Sequence, residues 1–103
     1  MVMLEYTKTA FTNLKTIRKS IAEDSLHFAK LSIIELRNKI EVLKVYPETG
    51  KPIYPDKYQN LRQLLHKSYN IIYYFENDKV TIITVHRQSR IHENMNINNQ
   101  FKI

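Results

Sequence analysis

The spacing of apolar residues changes period twice along the chain, and each change marks an element. Val2, Leu4 and Tyr6 alternate with Met3 and Glu5. That is the period-two pattern of a short, half-buried strand. From Phe11 the apolar positions fall at Leu14, Ile17 and Ile21, spacings of three and four that draw one stripe down a helix. Thr7 or Thr9 can supply the oxygen that caps its first turn. Asp24-Ser25 interrupts the run and caps a second helix, whose stripe is Ala29, Ile33, Leu36, Ile40 and Leu43. Lys44 sits in the last turn, where a cation complements the helix dipole, and Pro47 cannot continue the hydrogen-bond ladder. Two helices joined by so short a turn pack as an antiparallel hairpin.

The period then returns to two. The stretch from Tyr46 to Tyr58 holds all three prolines and Gly50, the only glycine, and reads as a loop. Strands follow near 60–66, 69–76 and 79–86, turning at Lys67-Ser68 and at Asn77-Asp78. Asn and Asp tolerate the positive φ of a two-residue hairpin. The middle strand is apolar on both faces, with Ile71, Tyr73 and Phe75 on one and Ile72 and Tyr74 on the other. It is therefore placed centrally, with the helices over one side. The expected fold is α+β: a short N-terminal strand, an antiparallel helical hairpin, then a three-stranded antiparallel sheet (β-α-α-β-β-β). The chain is read as one domain, residues 1–103. Its Asn-rich tail, 91–103, either docks as a short helix or stays disordered until a partner binds.

Composition narrows the chemistry. No cysteine is present, so thiolate nucleophiles, disulfides and cysteine metal sites are excluded. The four histidines, His27, His66, His86 and His92, have no ligand spacing, and no metal site or cofactor is expected. No run of apolar residues is long enough to span a bilayer, and no signal segment is visible, so the expectation is a cytoplasmic protein with no membrane partner. The net charge is +6. Eight Lys/Arg face six Asp/Glu up to residue 50, and eight face four thereafter. The excess thus gathers on the sheet half, which suggests a basic working face.

Taken in order, the amphipathic hairpin, Pro47-Glu48-Thr49-Gly50, Leu61-Arg62-Gln63-Leu64, Tyr69-Asn70-Ile71-Ile72-Tyr73, the run Val80 to Val85, and His86-Arg87 with Arg90 resemble the RelE/ParE superfamily of type II toxin–antitoxin toxins over nearly the whole chain. The resemblance implies a growth-inhibiting toxin held inactive by a small cognate antitoxin, acidic in its toxin-binding segment. It implies either DNA gyrase or the ribosome and its mRNA as target. The RelE branch, an mRNA interferase, resembles itself in a lysine-rich strand, an arginine after the first sheet tyrosine, and a late tyrosine. Here Asn70 stands in the arginine's place, Arg62, His66 and Lys67 replace the lysines, and no tyrosine follows Tyr74. The ParE branch closes its last strand with a histidine followed by an arginine, as His86 and Arg90 do. The ParE-like, gyrase-directed reading is therefore favoured. The alternatives are a ribosome-dependent endoribonuclease or a non-toxic relative that only binds antitoxin.

The candidate target- or antitoxin-binding residues are Arg62, Tyr69, Tyr73, His86, Arg87 and Arg90. Were the chain a ribonuclease, His86 would serve as general base and Arg62 would hold the phosphate. Each has a plainer alternative. Arg62 can pair with Glu35 or Glu41 on the second helix, one of the two tyrosines can be core, and the strand-end cations can simply be solvated. The basic residues of the hairpin (Lys15, Arg18, Lys19, Lys30 and Arg37) read as a solvated face.

Overall fold

The computed structural model of the chain describes residues 1–88. Its elements run β1 (Met3–Tyr6), α1 (Lys8–Ala22), α2 (Leu26–Glu41), a 3-10 turn over Val42–Lys44, β2 (Lys51–Pro52), β3 (Leu61–His66), β4 (Tyr69–Glu76) and β5 (Lys79–Arg87). The five strands form one sheet in the order β1-β5-β4-β3-β2. The expected three-stranded meander is its centre, with β4 in the middle. β1 adds parallel to β5, which the helical crossover makes possible. β2 is a two-residue edge strand inside what reads as loop. It pairs Lys51 with Gln63 and Pro52 with Arg62, and Pro52 is tolerated there because an edge strand leaves one side unpaired.

Local chemistry explains the boundaries. The Thr7 hydroxyl caps α1 by accepting from the Ala10 N–H, and the Ser25 hydroxyl caps α2 by accepting from the Phe28 N–H. Asn77 and Asp78 both have positive φ, as does Lys67 at the other hairpin. The core lies between the helical layer and one face of the sheet, with Leu14, Leu36, Ile40 and Leu43 packed against Leu64, Ile71, Tyr73, Val80, Ile82 and Val85. Burying a leucine or isoleucine of this kind contributes ~1.5–3 kcal/mol. One helical position differs from the sequence pattern: Ala10 is fully buried and Phe11 is exposed, its ring carrying the Lys15 ammonium at 4.8 Å. The smaller residue thus takes the position that faces the core.

The alternation of β5 is broken once. Ile82 pairs with Tyr73 but Thr84 pairs with Ile72, leaving Ile83 as the extra residue of a β-bulge. The buried positions are accordingly Val80, Ile82 and then Val85. α1 holds this irregularity from above. Thr7 donates to the Ile83 carbonyl at 2.7 Å, while Asn13 Oδ1 accepts from Thr84 Oγ1 at 2.7 Å and from the Val85 N–H at 3.0 Å. Nothing in the period-two pattern announces the bulge.

Candidate functional site

The bulge decides which way the end of β5 faces. Beyond it the pairings are Val85 with Ile71, His86 with Asn70, and Arg87 with Tyr69. Because side chains alternate along a strand, Arg87 and Tyr69 share the helix-facing side with Val85 and Ile71. His86 and Asn70 share the opposite face, where Asn70 Nδ2 donates to Gln63 Oε1 at 3.0 Å. Without the extra residue the assignment would reverse, since a one-residue slip exchanges the faces.

On the helix-facing side the Arg87 guanidinium lies over the Tyr69 ring at 6.0 Å. The pair stands between two adjoining clefts. One, of about 230 Å³, runs between α2 and the β3–β4 turn and is walled by Ile21, Phe28, Leu36, His66 and Tyr69. The other, of about 290 Å³, lies between α1 and β5 and is bordered by Asn13, Ile17, Ile21, Tyr69 and Arg87. Together they form a groove with an apolar floor and a cationic rim. Phe28 is 58% exposed at its wall, and among the described residues Arg87 has no carboxylate partner. Lys67 by contrast is engaged: its ammonium meets Glu35 Oε1 at 2.7 Å and holds that carboxylate below its ordinary value. His66 Nε2 sits 3.4 Å from the same oxygen but outside hydrogen-bonding geometry, so this buried ring nitrogen lacks a partner.

The other candidates occupy a different place and a different role. Tyr73 is fully buried. Its hydroxyl donates to the Pro47 carbonyl at 2.7 Å and accepts from the Gly50 N–H at 2.9 Å, and burial pushes the phenol up from its ordinary value of 10.0. Arg62 donates to the carbonyls of Gly50 at 2.6 Å and Glu48 at 3.2 Å, not to Glu35 or Glu41. Gly50 is glycine because of proximity. A Cβ there would meet the Gln63 carbonyl at 2.6 Å and the Tyr73 ring at 2.7 Å. The Pro-Glu-Thr-Gly segment is thus a loop latched to the sheet by Arg62 and Tyr73.

This separates the residues grouped by sequence. Arg62 is on the helix-facing row of β3 and His86 on the opposite face of β5, with β4 between them. By register they are two strands and three residues apart, ~10 Å in each direction. The sheet therefore does not bring His86 and Arg62 together at one place. Tyr69 and Arg87 come together, His86 is adjacent but turned away, and Arg90 lies outside the described residues. Sequence reasoning missed Ile21, Phe28 and Asn13. Phe28 carried a signal, since it is a large aromatic that falls off the core stripe of its helix.

The chain is thus an α+β domain in which a helical hairpin lies across one sheet face, with a basic strand end beside an apolar groove. The family model for the ParE toxin of the type II toxin–antitoxin system parDE matches residues 4–92, and the chain belongs to that family. It is the toxin component of such a system, and an antitoxin is its partner. A solved structure of a chromosomal ParDE toxin–antitoxin system from P. aeruginosa is similar at a TM-score of 0.71 and 16% identity, covering 86% of this chain and 98% of that one. At that identity the likeness shows the fold. A solution structure of a conserved hypothetical protein, HP0894, from Helicobacter pylori aligns at a TM-score of 0.44 and 14% identity over 88% of this chain and 99% of that one. No curated protein matches the chain.

Proposed function

We propose that this toxin acts in the cytoplasm on DNA gyrase by binding, without catalysing a reaction, and that its antitoxin neutralises it by laying an acidic, amphipathic segment along the groove beside Tyr69 and Arg87. The observation that carries the reading is the Arg87 guanidinium 6.0 Å over the Tyr69 ring at the rim of a groove walled by Ile21, Phe28 and Leu36. Arginine held over an aromatic face keeps its N–H donors available for a carboxylate. The apolar floor supplies affinity and the cation sets orientation and encounter rate. His86 and Arg87 at the end of β5, and Arg90 further along the chain, are the residues proposed to meet the target. The separation of His86 from Arg62 favours binding over cleavage.

The test is induction of the chain, with and without the adjacent small open reading frame, while following plasmid supercoiling and message integrity. Altered supercoiling with intact messages, relieved by co-expression, supports the proposal. New cuts inside translated messages would instead establish the ribonuclease alternative. No effect on growth would leave a relative that only binds antitoxin.

A further inference from the structure

Helix α2 carries a second apolar stripe that the core does not use. At about 3.6 residues per turn, Leu31, Ile34, Asn38, Val42 and Val45 fall on the side opposite Ala29, Leu36, Ile40 and Leu43, with the 3-10 turn over Val42–Lys44 continuing the line. The exposures bear this out: Leu31 45%, Ile34 55%, Val42 43% and Val45 54%, with Asn38 also exposed. These residues lie outside the groove at Tyr69 and Arg87. Isolated exposed apolar residues need no explanation, but four on one line along α2 and the turn that continues it form a patch.

The spacing along that line identifies its partner. The steps are three, four, four and three, which read the same in both directions about Asn38. Reversing a second copy of the helix on the first therefore places Leu31 opposite Val45, Ile34 opposite Val42, and Asn38 opposite itself. The flanks follow the same rule. Arg37 and Glu41 border one side and Glu35 and Lys39 the other, so reversal sets each cation beside an anion of the second copy, where it would share the carboxylate with Lys44 at Glu41 and with Lys67 at Glu35. A single asparagine in an apolar helix seam specifies register and oligomeric state at some cost in stability. We infer that α2 is a self-association surface, through which two copies of this toxin pair antiparallel about a two-fold axis at Asn38. One helix stripe covers less than the ~800 Å² per partner of a standard interface, so the association is weak and concentration-dependent. It rests on the helix pattern alone and is independent of the target.

The absence of cysteine from the chain makes cross-linking a clean test on the full-length protein. Asn38→Cys is expected to form a covalent dimer on mild oxidation. Leu31→Cys alone should not, since its own copies would stand about 21 Å apart along the axis, far outside disulfide reach. An equimolar mixture of Leu31→Cys and Val45→Cys should yield the mixed dimer. Sedimentation of the unmodified chain should show mass rising with concentration, and Ile34→Asp should abolish that rise while leaving the far-UV circular dichroism unchanged. Equal cross-linking at all three positions would mean random collision, and self-linking of Leu31→Cys would mean a parallel pair. A monomer at every concentration, with the stripe protected only when antitoxin is bound, would assign the surface to the antitoxin. Any of these three outcomes overturns the inference.

Discussion

Strand β4 carries two tyrosines on its helix-facing row, and each stands opposite an arginine: Tyr73 beside Arg62 and Tyr69 beside Arg87. The two pairs have the same chemistry and opposite states. At the Arg62 end the loop through Pro47 and Gly50 closes over the pair and takes up the phenol and the guanidinium through its backbone. At the Arg87 end no loop arrives among the described residues, and the pair stands at the rim of a groove. An arginine–tyrosine pair is therefore structural or available according to whether backbone carbonyls reach it. The residue types alone do not decide.

The largest effect is expected at Gly50. Gly50→Ala forces a methyl against the Gln63 carbonyl and the Tyr73 ring and is expected to cost about 3 kcal/mol, the upper part of the overpacking range. Urea denaturation would read it; an unchanged midpoint would show that the loop is not tightly latched. Tyr73→Phe leaves the buried Gly50 N–H without its acceptor, a loss of about 2 kcal/mol. The same phenol makes a pH prediction. Its folded value lies above 10.0, so the stability it contributes is complete below that pH and is lost as pH rises through the folded value. Tyrosinate absorbance should then appear for Tyr73 only together with unfolding, and an early, unfolding-free titration of this residue would contradict its burial.

At the open end the effects move from stability to binding. Arg87→Ala should leave the denaturation midpoint where it is and weaken antitoxin binding by about 1–2 kcal/mol, roughly tenfold, measured by calorimetry on the purified pair. Equal affinity would remove the groove from the proposal. Asn13→Ala takes away the acceptor shared by Thr84 and Val85 at the bulge. About 1 kcal/mol of stability is expected to go with it, together with part of the affinity, because the aim of Arg87 depends on the bulge. Retention of both would mean that β5 keeps its register unaided. The smallest effect concerns Glu35. Lys67 depresses its carboxyl below 4.5, so the tie between α2 and the β3–β4 turn is present above that pH and lost as pH falls through the folded value. A carboxyl NMR titration of Glu35 that follows the ordinary curve would show the tie to be absent in solution.

The legibility of this protein divides along the line between local and long-range information. Caps at Thr7 and Ser25, both helices, the three long strands and the Asn77-Asp78 turn follow from contacts within a few residues, and periodicity records those directly. The family resemblance rests on the same ordered pieces. The edge strand at Lys51–Pro52 was illegible because two residues in a proline-rich stretch carry no period, and only pairing with β3 makes them a strand. Burial of Ala10 in place of Phe11 was illegible because only the packing of α1 on the sheet selects which of two neighbouring residues faces the core.

The sequence by itself therefore determined the order of the elements, the class of fold, the basic character of the sheet half and the list of cations and phenols that could work. The tertiary structure decided which of them can. It placed Arg62 and Tyr73 under the Gly50 loop, and it inserted Ile83 as a bulge that turns Arg87 toward Tyr69 and His86 away. The physical reason is the same in both cases. A side chain's availability depends on which backbone groups reach it and on which face of the strand it lies, and both are set by pairings between residues far apart in the chain.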